Sequence, residues 1–137
     1  LNVDTLEPVA EATLAGGPLI EVALDAARGR VYVLSALSPE YRGISVLRAD
    51  DLSRQALVAG SPTFPLQQAA ALAVSPDSRL VVAEGADLYW IAPEGLGVVS
   101  RVRLSNPVGW RGLAADPATG RIVWIDSTGV LEVLDPN

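Results

Sequence analysis

The chain has 137 residues, half of them hydrophobic, which is enough to bury one modest core but not two independent ones. Its sixteen Asp and Glu residues outnumber ten basic residues, all of them Arg, and this acidic balance argues against nucleic-acid binding. With no Cys, no His and no run of roughly 18 apolar residues, the sequence offers no disulfide, no zinc site and no membrane insertion. We therefore expect one domain over residues 1–137.

We interpret residues 1–17 as the end of a repeat unit. The stretch LNVDTLEPVAEATLAGGP resembles the exit of a third strand, a DTLEP turn and a fourth strand from Val9 to Leu14. The first residue is Leu1 rather than Met, from which we expect a removed signal peptide or a larger flanking region. The repeat is thus predicted to be circularly permuted.

Three segments then align on a short turn followed by Arg and a β-branched run, namely ALDAARGRVYVL, AVSPDSRLVVAE and AADPATGRIVWI. Their anchor residues Arg30, Arg79 and Arg121 are 49 and 42 positions apart. This spacing is close to the roughly 40 to 50 residue period of β-propeller blades. It predicts units of about residues 18–64, 65–106 and 107–137, the last completed by residues 1–17.

Each unit shows the same order of strands and turns. Asp, Ser, Pro and Gly cluster where hairpins must reverse, while the segments between them alternate or run apolar as strands do. The one stretch with helical propensity, Leu66 to Ala73, falls where a first strand is required, so we predict loop and then strand. The predicted first hairpin turns are Asp25 to Gly29, Ser75 to Ser78 and Asp116 to Gly120; the second hairpin turns are Ser35 to Gly43, Glu84 to Asp87 and Asp126 to Gly129; the third strands are Ile44 to Arg48, Leu88 to Ile91 and Val130 to Leu134; and the fourth strands are Gln55 to Ala59 and Val98 to Leu104.

The predicted fold class is all-β, a β-propeller segment of three four-stranded antiparallel blades. Three blades are too few for a closed ring, which typically has four to eight. Open terminal blades would expose apolar faces and strand edges that invite another chain. We expect either a second copy, giving a six-bladed ring in which Val9 to Leu14 of one chain completes the last blade of the other, or further sequence of a larger propeller.

Few residues in this sequence could act in catalysis or bind a metal ion. The carboxylate pairs Asp50 with Asp51 and Glu84 with Asp87 fall in predicted turns, where acidic residues accept hydrogen bonds from backbone N–H groups. No calcium-loop spacing and no glycine-rich phosphate cradle occur. We expect no catalytic residues, no metal and no cofactor, although a calcium site built from separate loops stays open as an alternative.

The aromatic residues divide into two groups. Tyr32, Tyr89, Trp90 and Trp124 fall inside predicted strands and are expected in the core between blades. The others fall in predicted connections. Second hairpin turns and links between blades share one face of a propeller, so we expect a binding surface there formed by Tyr41, Phe64, Glu84, Asp87, Trp110 and Asp126.

The repeats resemble the YVTN and NHL class of bacterial propeller repeats, on the segments SPDSRLVVA, DPATGRIVWIDSTGVLEVLD and DTLEPVAEATLAGG. That resemblance implies a periplasmic or extracellular module that binds or scaffolds proteins or glycans and is not an enzyme. Two alternatives remain open: a propeller hydrolase or lactonase with a carboxylate-bound calcium, and a structural subunit of a surface or membrane-associated assembly. The expected partners are another protein or a second copy of the chain.

Overall fold

The computed structural model describes residue 14 and residues 18–37, 41–62, 64–104 and 110–135. In these residues the chain forms eleven strands in three antiparallel sheets and no helix. No helix long and apolar enough to cross a membrane is found among them. The prediction of an all-β propeller segment is confirmed.

Each sheet consists of consecutive strands in hairpin order. In the described part of the chain, sheet three has three strands, and the fourth strand predicted at Val9 to Leu14 lies outside the described residues apart from Leu14. Sheet one contains β1 (Leu19–Asp25), β2 (Arg30–Ala36), β3 (Arg42–Arg48) and β4 (Arg54–Ala59); sheet two contains β5 (Ala69–Val74), β6 (Leu80–Glu84), β7 (Asp87–Ile91) and β8 (Val98–Arg103); and sheet three contains β9 (Trp110–Ala115), β10 (Ile122–Asp126) and β11 (Leu131–Leu134).

The first hairpin turns form because their acidic residues bond the turn backbone. In sheet one, Asp25 Oδ1 accepts a hydrogen bond from Arg28 N at 3.2 Å, and Gly29 has a φ of +61°, which glycine adopts without strain. In sheet three, Asp116 Oδ1 accepts from Ala118 N at 2.9 Å. The predicted turns at these positions are confirmed, as is the loop before β5.

One predicted connection is wrong. Trp110 is the first residue of β9, where its backbone pairs with Asp126 across a register shift. The sequence NPVGWRG contains Pro and two Gly, which is typical of a loop. The sheet nevertheless extends to Trp110 because β10 continues to Asp126 and provides a strand for it to pair with.

The three sheets stack face to face with sheet two in the middle. One buried cluster lies between sheets one and two and includes Tyr32 and Tyr89. A second lies between sheets two and three and includes Trp90 and Trp124. The first strand of sheet two, β5, also contacts the first strands of both neighbours, as inner strands do around a propeller axis. The predicted burial of these four aromatic residues is confirmed.

Candidate functional site

Glu84 is the most buried acidic side chain of the predicted binding surface, with 5% of its surface exposed. It ends β6, and its Oε2 accepts a hydrogen bond from Leu66 N at 2.9 Å. Leu66 is fully buried and has a φ of +61°, a left-handed conformation that is costly for a branched side chain. Glu84 therefore ties the link between sheets one and two to the β6–β7 hairpin.

The electrostatics of Glu84 follow from this burial. Loss of water raises the pKa of its carboxyl group, and the negative charge of Asp87 raises it further. Hydrogen bonds from the backbone of Leu66 and Gln68 and the positive charge of Arg42 act in the opposite direction without cancelling the increase. Arg42 itself donates to the carbonyl oxygen of Ala69, which pairs with Glu84 in the sheet.

Asp87 begins β7 on the other side of a two-residue turn and is also buried. Arg103 donates to both of its carboxylate oxygens, through Nε at 3.1 Å and Nη2 at 3.3 Å. Arg101 Nε lies 3.9 Å from the same carboxylate, and its guanidinium lies 5.9 Å from the centre of the Tyr89 ring. Both acidic groups of this hairpin thus bind groups of the protein itself.

The remaining predicted residues have different environments. Phe64 is buried, with its ring centre 4.5 Å from that of Tyr89, so it packs in the core beneath the hairpin. Tyr41 is exposed, next to Arg42. Asp126 Oδ1 accepts hydrogen bonds from the backbone of its own turn at Thr128 and Val130, while the Thr128 hydroxyl lowers the pKa of Asp126.

These six residues do not act as one group of free ligands. Phe64, Glu84 and Asp87 lie around one hairpin, and the backbone of Trp110 pairs with Asp126 in sheet three. In the described residues, no group of three Asp or Glu side chains is arranged to hold a metal ion. The predicted binding surface remains a prediction, and Tyr41 is an exposed aromatic within it.

A different surface lies on the outer face of sheet three; the sequence analysis expected an exposed apolar face on the terminal blades but did not name its residues. Strands alternate their side chains between two faces, and Ile122 and Trp124 point toward sheet two. The residues next to them in the strand therefore point away from sheet two. The register places six residues on this outer face, all of them apolar: Gly112, Ala114, Val123, Ile125, Leu131 and Val133. A concavity of about 330 Å³ on this face is lined mainly by residues of this set.

The outer face of sheet one is apolar and exposed along β1, but its middle is buried in the single chain, where Val33, Ser45 and Leu47 are 7%, 4% and 3% exposed. Tyr32 and Leu34 point toward sheet two, so Val31 and Val33 point away, in register with Leu24 and Val22 of β1. Val22 and Leu24 are 59% and 60% exposed. A concavity of about 410 Å³ lies on this face beside Val22 and Val33.

The repeat relates these two faces to the contacts inside the chain. In each sheet, the second and fourth residues after the anchor Arg lie on one face, which we call the leading face. The first and third residues after the anchor Arg lie on the opposite face, which we call the rear face. The leading faces of sheets one and two pack on the rear faces of sheets two and three. The leading residues are Tyr32 and Leu34, Val81 and Ala83, and Val123 and Ile125; the rear residues are Val31 and Val33, Leu80 and Val82, and Ile122 and Trp124.

Among the described residues, no sheet packs on the outer face of sheet three, whereas the middle of the outer face of sheet one is buried. Sheet three presents a leading face, and sheet one presents a rear face. A search of the sequence could have found the alternation, since it is visible after each anchor Arg. It could not have shown which face of each sheet packs on the next one.

No family model matches the chain, and no curated protein matches it in sequence. Among solved structures, it is similar to the dihydro-heme d1 dehydrogenase NirN, with a TM-score of 0.60 and 16% identity over 84% of this chain and 25% of that one. It is also similar to virginiamycin B lyase from Staphylococcus aureus (TM-score 0.53, 18% identity, 87% and 42% covered) and to Myxococcus xanthus glutaminyl cyclase (0.53, 14%, 84% and 73%).

These three neighbours are β-propeller proteins. The chain spans about a quarter of the length of NirN and under half that of the lyase. At such low identity the likeness concerns the fold and not the activity. The chain is a three-sheet segment of a β-propeller.

Proposed function

We propose that this chain is a non-enzymatic β-propeller module that acts by binding other proteins, and that the outer face of sheet three packs against a further propeller blade. The observation that carries the proposal is the outer face of sheet three. All six of its outward positions are apolar, and its leading residues are equivalent by repeat to residues that are buried in both contacts within the chain.

The free energy available from covering this face is substantial. Full burial of a Val, Leu or Ile side chain contributes about 1.5–3 kcal/mol, so covering half-exposed side chains contributes roughly 1 kcal/mol each. Ile125, Leu131 and Val133 are all exposed in the single chain. Apolar patches of this kind, continuous across three strands, mark protein interaction sites.

The acidic hairpin supports a binding role over a catalytic one. A general acid or base must reach the proton that it transfers, but Glu84 binds Leu66 N and Asp87 binds Arg103. The Ser-Pro and Asp-Pro turns followed by Arg and Val support placing the repeats in the YVTN and NHL class. With that class we propose a periplasmic or extracellular location.

Single-cysteine variants test whether the outer face is covered, because the chain contains no Cys of its own. Val133→Cys lies on the outer face of sheet three, and Val99→Cys lies on β8 of sheet two; the two Val side chains are 60% and 51% exposed in the single chain. We expect a thiol reagent to label Val133→Cys about tenfold more slowly, which corresponds to about 1.4 kcal/mol of opening free energy.

In denaturant both cysteines should react at the same rate, which controls for intrinsic reactivity. Equal rates in the folded protein at every concentration would mean that the face is open, and the proposed function would then be wrong.

A further inference from the structure

The rear face of sheet one is buried at its centre, although no described sheet packs on it. Val33, Ser45 and Leu47 lie on this face in β2 and β3 and are 7%, 4% and 3% exposed. The two apolar clusters lie elsewhere, one between sheets one and two and the other between sheets two and three. An outward-facing residue of a third strand that nothing described covers is far more accessible, since Val133 of β11 is 60% exposed.

The burial extends over only part of the face. Val22 and Leu24 of β1 lie on the same side of sheet one and are 59% and 60% exposed. Leu72 of β5 occupies the position in sheet two that Val22 occupies in sheet one, and it is 3% exposed because a complete sheet packs on it. Burial at β2 and β3 with exposure at β1 is the pattern expected for one extended segment lying over the middle of the sheet.

Two described side chains account for one end of this face. A Cβ at Gly43 would lie 2.8 Å from Leu37 Cδ1 and 3.2 Å from Leu57 Cδ1. Leu37 and Leu57 are themselves 36% and 38% exposed. Leu47 lies four residues from Gly43 along β3, roughly 13 Å at the rise of a strand. Its burial therefore needs a further apolar group.

The residues just before β1 repeat the sequence of β4. EATLAGGP, residues 11–18, and QALVAGSP, residues 55–62, are identical at four of eight positions, and Leu14 stands where β4 has Val58. Val58 is 9% exposed and lies in one cluster with Leu80 and Val82, two rear-face residues of sheet two. Leu14 is the residue of this segment that the structure describes, and it is half-buried. The sequence that packs a fourth strand on the rear face of sheet two is thus also present directly before sheet one.

We propose that the segment of residues 9–14 packs along the rear face of sheet one, with Leu14 over β2 and β3 as Val58 lies over sheet two. By repeat position, Ser45 corresponds to Tyr89, which belongs to the same cluster as Val58. The side chains also match in size, because the small Ser45 leaves room for a Leu where the large Tyr89 faces a Val. Alternation in an extended chain then turns Leu14 toward the sheet and Thr13 away from it.

Thiol labelling of the full chain tests this packing. The reporter is Ser45→Cys, which replaces one side-chain oxygen by sulfur in a chain that has no Cys of its own. Adding Leu14→Arg should raise the labelling rate of the folded protein about tenfold, because a charged side chain does not stay on a buried apolar face. Adding Thr13→Arg should leave the rate unchanged. An unchanged rate with Leu14→Arg, or an equal increase with both substitutions, would overturn the proposal.

A second reporter distinguishes local exposure from unfolding of the whole chain. Val82→Cys lies between sheets one and two, where Val82 is fully buried. Its labelling rate should be the same with and without Leu14→Arg. If Leu14→Arg raises the rates of both reporters, the cross-linking experiment that follows decides the question without that substitution.

A short bifunctional thiol reagent should join Leu14→Cys to Ser45→Cys within one chain. It should not join Leu14→Cys to Val133→Cys, which lies on the outer face of sheet three. The absence of the first cross-link, or an equal yield of both within one chain, would mean that the segment lies elsewhere and that the proposal is wrong. Neither measurement depends on what covers the outer face of sheet three, so the proposed function is tested separately.

Discussion

Glu84 illustrates how a single buried carboxylate can hold two sheets in place. Its partners are backbone N–H groups of the link between sheets one and two, and its nearest charges are Asp87 of its own hairpin and Arg42 of sheet one. Because burial raises its pKa in the folded protein, the folded state prefers the protonated form more than the unfolded state does. The charged form is therefore destabilising relative to a neutral group.

We predict that the stability difference between the protein and Glu84→Gln depends on pH. As pH falls from neutral through the raised pKa of folded Glu84 to its value in the unfolded chain, the protein should gain stability relative to the variant. The measurement is the free energy of unfolding by urea at several pH values, for both proteins.

Asp77→Asn is the matched control with the opposite sign. The Ser75 hydroxyl lowers the pKa of Asp77, with help from Arg79, so the protein should lose stability relative to Asp77→Asn as pH falls through the unfolded and then the folded pKa of Asp77. The same slope for both pairs would contradict the assigned environment of Glu84.

Sequence reasoning at this scale succeeded for residues whose role follows from alternation. Tyr32 and Trp124 were placed in the core because they lie in strands with apolar neighbours, and both are buried. The role of Glu84 was not predictable in the same way. Its partner Leu66 is 18 residues earlier, and that contact depends on how the link folds back over the hairpin.

At the scale of elements, the β6–β7 hairpin is closed by the two-residue turn Gly85–Ala86. Gly85 has a φ of +57°, in the left-handed region that residues with a side chain rarely adopt. A Cβ at this position would lie 2.8 Å from Gln68 Oε1, at the mobile end of that side chain. The backbone conformation, more than the space, therefore requires glycine here.

We predict that Gly85→Ala lowers the free energy of unfolding by about 1 kcal/mol, the cost of a left-handed alanine. Gly97→Ala is the control, since a Cβ added at Gly97 would meet no atom within 4 Å and Gly97 is not among the positive-φ glycines. Thermal or urea unfolding of the two variants measures the difference. An equal effect of both substitutions would show that the turn conformation is not what Gly85 provides.

Turn chemistry explains why the strands were largely predictable. Asp25, Asp116 and Asp126 all accept hydrogen bonds from the backbone of the turns that they begin. Such bonds are local, so the residues that make them are recognisable in the sequence. The start of β9 was not recognisable in the sequence, because Trp110 extends the sheet by pairing with Asp126. That contact is set by the neighbouring strand.

At the scale of the whole molecule, the stack of three sheets leaves the apolar outer face of sheet three uncovered among the described residues. We predict that Val133→Arg prevents the outer face of sheet three from packing on another blade, because the charge would have to be buried in an apolar contact. Val99→Arg should leave that packing intact, since β8 belongs to sheet two, whose faces are already packed within the chain.

The mass of each variant in solution, measured by light scattering over a range of concentrations, checks this prediction. A Val133→Arg protein with the same mass as the Val99→Arg protein would contradict it, provided that both give the unfolding transition of a folded chain.

The propeller architecture could be predicted because the spacing of Arg30, Arg79 and Arg121 matches the repeat period of propeller blades. Which face of each sheet packs on its neighbour could not be predicted. Val81 and Val123 follow equivalent anchor residues, yet Val81 is fully buried and Val123 lies on an outer face. The difference depends on whether another sheet packs on that side, which the repeat itself does not encode.

The order of the strands also has a consequence for biosynthesis. All strand pairing in sheet one joins residues 19–59, and sheet two begins only at Ala69. The first sheet can therefore complete its hydrogen bonds while the ribosome is still translating the second, as expected for a protein built from units that contact only their neighbours. The residues of sheet one that pack on sheet two, among them Tyr32, become buried only when sheet two emerges from the ribosome. Each newly made blade therefore covers an apolar face of the blade before it.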